Sequence, residues 1–242
     1  MTHYSGIAEG RAALIIPALD EEESIGATLE RIPRCWYRRV IVADNGSRDR
    51  TGEIARASGA VVVRAPEGGY GAACLQGLEA VPEDVEAVVF MQADASEKAE
   101  EAALLLEPIY QGRADLVIGS RTLGKAEPGA IRPHQALGNR LAVWLVRVLF
   151  GHGYTDLGPF RAIRLEALRR LNMHDRDYGW TVEMQVKALT HGLRVLEAPV
   201  SSRRRLAGEE KVAGSVRSSA LAGIKIIWTV LRLAASQRAA GR

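Results

Sequence analysis

Several short segments of this 242-residue chain carry side chains suited to a phosphorylated, hydroxyl-rich ligand, and each begins where an apolar run stops. Pro17-Ala18-Leu19-Asp20-Glu21-Glu22-Glu23 follows one run and Asp44-Asn45-Gly46-Ser47 another. A carboxylate in such a place accepts hydrogen bonds from a ribose hydroxyl or a base N–H, and Gly46 permits a tight turn. Gly68-Gly69-Tyr70-Gly71 opens a segment of helical period, where exposed N–H groups and the helix dipole favour an anion such as a diphosphate. Gln92-Ala93-Asp94 ends a further apolar run. Arg121, and Arg203 to Arg205 with Lys211 beyond Pro199, add cations that can grip phosphate oxygens, the guanidinium in bidentate fashion. Each segment also has an ordinary reading. Asp20 to Glu23, Asp44 and Asp94 can cap helices or turns, paired glycines mark turns, and consecutive arginines form solvated charge runs.

These segments cooperate only if one scaffold brings them to a common edge. Short apolar runs alternate with segments of helical period, which argues for βα units on a mostly parallel sheet, an α/β fold. Strands are expected at Ala12 to Ile16, Val40 to Ala43, Ala60 to Arg64, Ala87 to Met91 and Leu116 to Ile118. Helices are expected at Glu21 to Ile32, Arg50 to Ser58 and Gly71 to Val81, with another before Leu116. Ligands of such sheets collect outside the carboxyl ends of the strands, so the loops at Pro17, Asp44, Pro66 and Gln92 are the ones to inspect. The second half is less regular. Helices are expected at His134 to Phe150 and Thr181 to His191, and strands at Phe160 to Ile163 and Leu193 to Glu197. A polar stretch from Ser201 to Ser215 separates this core, residues 1–215, from a C-terminal amphipathic helix and basic tail at 216–242.

Hydrophobic residues at 47% and charged residues at 25% fit one ordinary globular domain. A net charge of +3 is too mild to point to nucleic acid. The two cysteines, Cys35 and Cys74, lack metal-site spacing, and the N-terminus carries no basic segment followed by an apolar run, so a cytoplasmic setting is expected. The longest apolar candidate, Leu221 to Ala235, is interrupted by Lys225 and Arg232 and falls short of the roughly 20 residues that span a bilayer. Its apolar residues near one face suit a peripheral contact with the inner membrane face, packing on the domain, or a homodimer.

"IIPALDEEESI" followed by "VIVADNGSRDRT" resembles the opening of family 2 glycosyltransferases of the GT-A fold, especially the dolichol-phosphate mannose synthase-like branch that serves polyprenyl phosphates. "GGYGAACLQGL", "MQADAS", "DLVIGSR", "GNRLAVWLVRVLFG", "TDLGPFRAIRLEAL", "YGWTVEMQVKA" and "RRRLAGEEKVAG" are similar to that branch in order and approximate spacing, from about Leu14 to Gly214. The resemblance implies a GT-A sheet and transfer of a hexose, with inversion, from a UDP- or GDP-linked sugar. It carries nucleotide binding to Pro17, Ala18, Leu19, Glu21, Asp44 and Gly46, with Gly71, Gln92, Ala93, Arg121, Arg204 and Lys211 around the diphosphate. Where the family has Asp-x-Asp for Mg²⁺ or Mn²⁺, this chain has Gln92 and Asp94, leaving Asp94 as the metal carboxylate beside a neutral carbonyl. Asp156 and Glu183 match family acids near the acceptor site, and either can take a proton from an acceptor hydroxyl. For Asp156 the alternative is a cap or a partner of Arg161. A lipid phosphate would need no strong base, its second pKa being about 6. The acceptor stays open between a lipid phosphate and a small soluble molecule. Two other classes are kept: a nucleotidyltransferase, disfavoured by the acidic first loop, and an inactive nucleotide-binding scaffold, motivated by Gln92.

Overall fold

A computed structural model describes residues 7, 9–65, 68–207 and 216–240, without the side chains of 216–220 and 238–240. Its centre is a seven-stranded sheet of β1 (Ala12–Ala18), β2 (Tyr37–Asp44), β3 (Val61–Arg64), β4 (Ala87–Phe90), β5 (Leu116–Ser120), β6 (Arg161–Arg164) and β7 (Val195–Pro199). The spatial order is β3-β2-β1-β4-β6-β5-β7. All pairings are parallel except those of β6, which runs antiparallel to both β4 and β5. The mostly parallel sheet expected from the alternating pattern is therefore present.

Helices cover both faces, which is why the central strands read as continuous apolar runs instead of alternating ones. Leu14 and Ile16 of β1 point to one core with Val42, Val89, Leu105 and Leu106. Ala13 and Ile15 point to the other, with Ile41, Val88, Phe90 and Trp180. Every residue of β4 is buried. From β1 the chain winds outward through α1 (Ile25–Glu30), β2, α2 (Thr51–Ala57) and β3, then returns by α3 (Tyr70–Glu79) to β4 on the other side of β1. That reversal opens a crevice between the carboxyl ends of β1 and β4, the place such sheets use for ligands.

The remaining helices are α4 (Ala102–Tyr110), α5 (Pro133–Phe150), α6 (Leu165–Leu171), α7 (Trp180–Thr190) and α8 (Val216–Ala240). Three differ from expectation. Helix α1 starts at Ile25 and not at Glu21, because the intervening backbone is tied to the next loop. The N–H groups of Asp20, Glu21 and Glu22 donate to Ser47 Oγ (3.0 Å), Thr51 Oγ1 (2.7 Å) and Asp49 Oδ2 (3.0 Å). Helix α6 follows β6 with no Gly or Pro between them, so no punctuation in the sequence separates the two periods. Helix α8 continues from the apolar run through the residues expected as a basic tail as far as Ala240, and it packs on α5 and α7, burying Ala222, Val230 and Ala234.

The glycine-rich segment before α3 is shaped by a tight backbone approach. Ala72 N–H donates to Arg176 O (2.8 Å), and a Cβ on Gly71 would stand 2.0 Å from Asp175 O. Gly69 has φ +103° and leaves a Cβ only 2.3 Å from Arg176 O. Because the obstacle is backbone, it cannot rotate away as a side chain would. Gly71→Ala is expected to cost about 3 kcal/mol, the upper end for overpacking, lowering the melting temperature by roughly 6 to 12 °C. An unchanged melting temperature would refute this close packing.

Candidate active site

At the crevice between β1 and β4 lies a cavity of about 600 Å³. Pro17, Ala18, Leu19 and Glu21 form its wall at the end of β1, and Gln92, Ala93, Asp94, Ser96 and Glu97 form the wall beyond β4. Gly69 and Tyr70 at the start of α3, and Arg121 after β5, also line it. A segment running from Ser202 to Arg205 crosses the top. Its backbone is fastened to the loop after β4, since Arg203 N–H donates to Ser96 O (2.7 Å) and Leu206 N–H to Asp94 O (3.1 Å).

The charges converge on Arg205. Its guanidinium pairs with the Glu21 carboxylate and lies 3.5 Å from Asp94 Oδ2, so one cation bridges acids from two strand ends. Glu21, only 7% exposed, also accepts from Ser24 Oγ (2.7 Å). Asp94 Oδ1 accepts the Ser96 N–H (3.0 Å), which holds the carboxylate toward the cavity. Asp20 and Ala95, each beside one of these acids, have φ of +48° and +59°, values that few non-glycine residues adopt. Such backbone persists where its surroundings over-determine it, as at ligand-binding turns.

Among the residues singled out from the sequence, Pro17, Ala18, Leu19, Glu21, Gln92, Ala93, Asp94, Arg121 and Arg204 line the cavity. Asp44 and Gly46 do not. Asp44 Oδ1 accepts the Ser47 N–H (2.8 Å) and so shapes the turn, Gly46 supplies its positive φ of +87°, and their neighbour Asn45 reaches the cavity instead. Asn45 Oδ1 is buried with no hydrogen-bond partner among the described residues, an acceptor available to a ligand N–H. Gly71 lies just behind Gly69 and Tyr70. Lys211 falls outside the described residues.

Arg204 sits at the rim, its Nε donating to Pro128 O (2.6 Å), while Arg205 occupies the centre. Adjacent side chains of an extended segment point to opposite sides, so three consecutive arginines leave the central one undetermined until the backbone path is known. Glu97 also escaped notice. It is buried, accepts the Gln92 N–H (2.8 Å) on Oε2, and is pushed up to about 8 chiefly by burial, with the nearby Asp94 charge adding to the shift.

Asp156 and Glu183 depart from their expected place as bases facing the acceptor. Each is 1% exposed and absent from the cavity wall. Asp156 grips Arg121 in a bidentate pair, Nε to Oδ2 and Nη2 to Oδ1 at 2.8 Å each, and takes the Arg121 N–H as well (2.9 Å). Its partner is thus Arg121 and not Arg161, which donates to the carbonyls of Leu157, Gly158 and Thr181. Glu183 accepts the Asp175 N–H (2.7 Å) and the His174 N–H (3.2 Å) and pairs with Lys187 (2.8 Å). Both oxygens of each carboxylate are thus engaged by protein groups.

The described residues hold no cluster of three or more His, Cys, Asp or Glu able to enclose a metal. Asp94 with the Gln92 carbonyl fits the sparser set that Mg²⁺ or Mn²⁺ accepts when phosphate oxygens and water complete its shell. Taken together, the cavity can hold an anion against the arginines while Asn45 and the acids engage hydroxyl and N–H groups.

Glu97 gives the site a pH signature. Between the ordinary carboxyl pKa of 4.5 and its folded value of about 8, the folded state holds a proton that the unfolded state has lost. Stability from this group is complete below about 4.5 and is lost as pH rises through 8, with a limiting slope of about 1.4 kcal/mol per pH unit. Glu97→Gln keeps the acceptor for the Gln92 N–H and removes the titration. Denaturation midpoints measured in chelator should therefore favour the variant increasingly from pH 5 to 8; parallel curves would show that Glu97 does not titrate there.

Comparison with known proteins agrees with this geometry. The sequence model of glycosyl transferase family 2 matches residues 13–171. An uncharacterized glycosyltransferase of Mycobacterium tuberculosis is 36% identical, covering 93% of this chain and 100% of the relative. The undecaprenyl-phosphate mannosyltransferase of Micrococcus luteus is 30% identical, covering 88% of this chain and 92% of the relative. In fold the chain is similar to glucosyl-3-phosphoglycerate synthase of M. tuberculosis, solved with Mn²⁺, UDP-glucose and phosphoglyceric acid, at a TM-score of 0.75 and 21% identity over 96% of this chain and 81% of that one. With the cavity at its sheet's reversal point and most of its length matched, the chain belongs to glycosyl transferase family 2.

Proposed function

We propose that the protein transfers a hexose, with inversion, from a UDP- or GDP-linked sugar to a polyprenyl phosphate at the cytoplasmic face of a membrane. The observation that carries this reading is the meeting of Glu21, Asp94 and Arg205 in one cavity with Asn45 and Arg121 on its wall. Asn45 and Glu21 hold the nucleoside, and the start of α3 with Arg121 and Arg205 holds the diphosphate. Asp94 and Gln92 would hold Mg²⁺ or Mn²⁺, which when bound neutralises charge on the leaving diphosphate.

The acceptor phosphate is already largely ionised near neutral pH, so its oxygen attacks C1 without a base. The absence of a disengaged carboxylate at Asp156 or Glu183 supports that acceptor over a hydroxyl. Both residues act by positioning: Asp156 fixes the Arg121 guanidinium, and Glu183 fixes the 174–175 backbone that leads to Tyr178 on the cavity wall. As C1 passes to the acceptor oxygen, the C1–O bond breaks with its electron pair going to the nucleoside diphosphate. The arginines then meet the growing charge. The mannosyltransferase of M. luteus supports the lipid acceptor by its name. A phosphorylated soluble acceptor is the second reading, favoured by the phosphoglyceric acid of the solved fold relative and by the rim arginines 203 and 204, which suit any phosphate. Lys211 is retained as a further phosphate contact.

The test is a thermal-shift panel of UDP, GDP, CDP and TDP with and without Mn²⁺. A bound nucleotide at about 100 times its Kd adds about 2.7 kcal/mol, roughly 5 to 11 °C for a chain of this size. Silence from all of them removes the proposal. Asp94→Ala should erase the Mn²⁺ increment and donor turnover. Arg205→Ala should weaken UDP or GDP binding by about tenfold or more, the order expected for a charged hydrogen bond, whereas Arg204→Ala should change it little. Equal losses from the two arginine variants would contradict the central placement of Arg205.

A further inference from the structure

Helices α5 and α8 present large apolar side chains to the outside. On α5, Leu137, Leu141, Trp144 and Val148 follow one another at helical spacing along an exposed stripe, Leu137 being 68% and Trp144 57% exposed. On α8, Leu221, Ile224, Trp228 and Leu231 do the same. The two helices pack on each other, and their opposite faces enter one core through Ala142, Val146 and Val230. The exposed stripes therefore lie on the same side of the molecule.

The ionisable side chains of these two helices have one sign. Neither α5 nor α8 contains an Asp or Glu, although the chain as a whole nearly balances 29 acids against 32 Lys and Arg. Arg140 and Arg147 lie beside the α5 stripe. On α8, Arg232 stands 4.8 Å from the Trp228 ring, and Lys225, 5.3 Å from it, also pairs with the buried Asp175 at 3.7 Å, leaving Arg232, among the described side chains, as the cation of α8 turned to the outside. Cations beside apolar stripes that carry an exposed Trp match the interface of an anionic bilayer, where an indole lies at headgroup level and Lys or Arg meets lipid phosphate. Among the described residues no helix is long and apolar enough to cross a membrane, so contact through these helices is lateral.

The face also runs into the site. Arg132 and Gln135, at the start of α5, line the cavity, and Leu137 opens the stripe within the next turn. We infer that the α5–α8 face docks the protein on an anionic lipid surface, with the α5 stripe leading from the bilayer to the cavity mouth. This deepens the proposed lipid acceptor and rests on it for the identity of the molecule that enters.

The test uses the full chain and vesicles without any acceptor: phosphatidylcholine alone, and phosphatidylcholine mixed with phosphatidylglycerol. Sedimentation should carry the protein down with the anionic vesicles, less so in high salt, with a blue shift of tryptophan fluorescence. Trp144→Ser combined with Trp228→Ser should weaken that partition by about tenfold or more while leaving the nucleotide thermal shift intact. Leu141→Gln with Val148→Gln serves the same purpose should the first variant fold poorly. No binding of the unaltered chain to anionic vesicles, or equal binding of a folded variant, overturns the inference. So does a monomer–dimer equilibrium abolished by the variants without vesicle binding, which would make the face a homodimer surface. Nucleotide binding without vesicle binding sinks only the docking face, and vesicle binding without nucleotide binding sinks only the proposed reaction.

Discussion

Two carboxylates, Glu21 and Asp94, approach one guanidinium because β1 and β4 are hydrogen-bonded neighbours across the point where the chain reverses its winding. Like charges drawn together repel, and burial adds a desolvation cost that only a well-placed cation offsets. Arg205 supplies it from a segment more than 100 residues further along the chain. The same contact holds the basic segment over the cavity. A phosphate group entering there would offer the guanidinium a third anion beside Glu21 and Asp94.

The rest of the site is built to keep that centre in place. Asp156 and Arg121 form a bidentate pair in which the acid is buried and the cation reaches the cavity. Glu183 gathers the N–H groups of His174 and Asp175, and the carbonyls of Asp175 and Arg176 in turn press on Gly71 and Gly69. Asp175 also touches α8, accepting from Thr229 Oγ1 at 3.3 Å. One side of the cavity is therefore linked through a short buried polar chain to the terminal helix. The acids in this chain serve backbone N–H groups, the Arg121 guanidinium, the Lys187 and Lys225 ammoniums and the Thr229 hydroxyl.

Legibility followed physical range. Strands β1, β2 and β4 were readable because burial on both faces demands unbroken apolar runs. The acids at their ends were readable because a parallel sheet gathers ligands at one edge. Helix α6 was not, since β6 passes into it without a breaker, and the early start expected for α1 failed because side chains of the 47–51 loop claim the backbone N–H groups of residues 20–22. Asn45 was overshadowed by Asp44: the acid accepts the N–H of its own turn, and the amide reaches the cavity.

By itself the sequence determined the α/β class, the family, and the set of loops from which the site is drawn, because periodicity, turn chemistry and motif order are local properties. Only the tertiary structure decided which member of each loop does what. It chose Arg205 over Arg204, brought Glu97 beneath Gln92, and turned Asp156 and Glu183 inward. Those choices depend on backbone direction and on partners distant in sequence, such as the 35 positions between Arg121 and Asp156, and no local pattern encodes them.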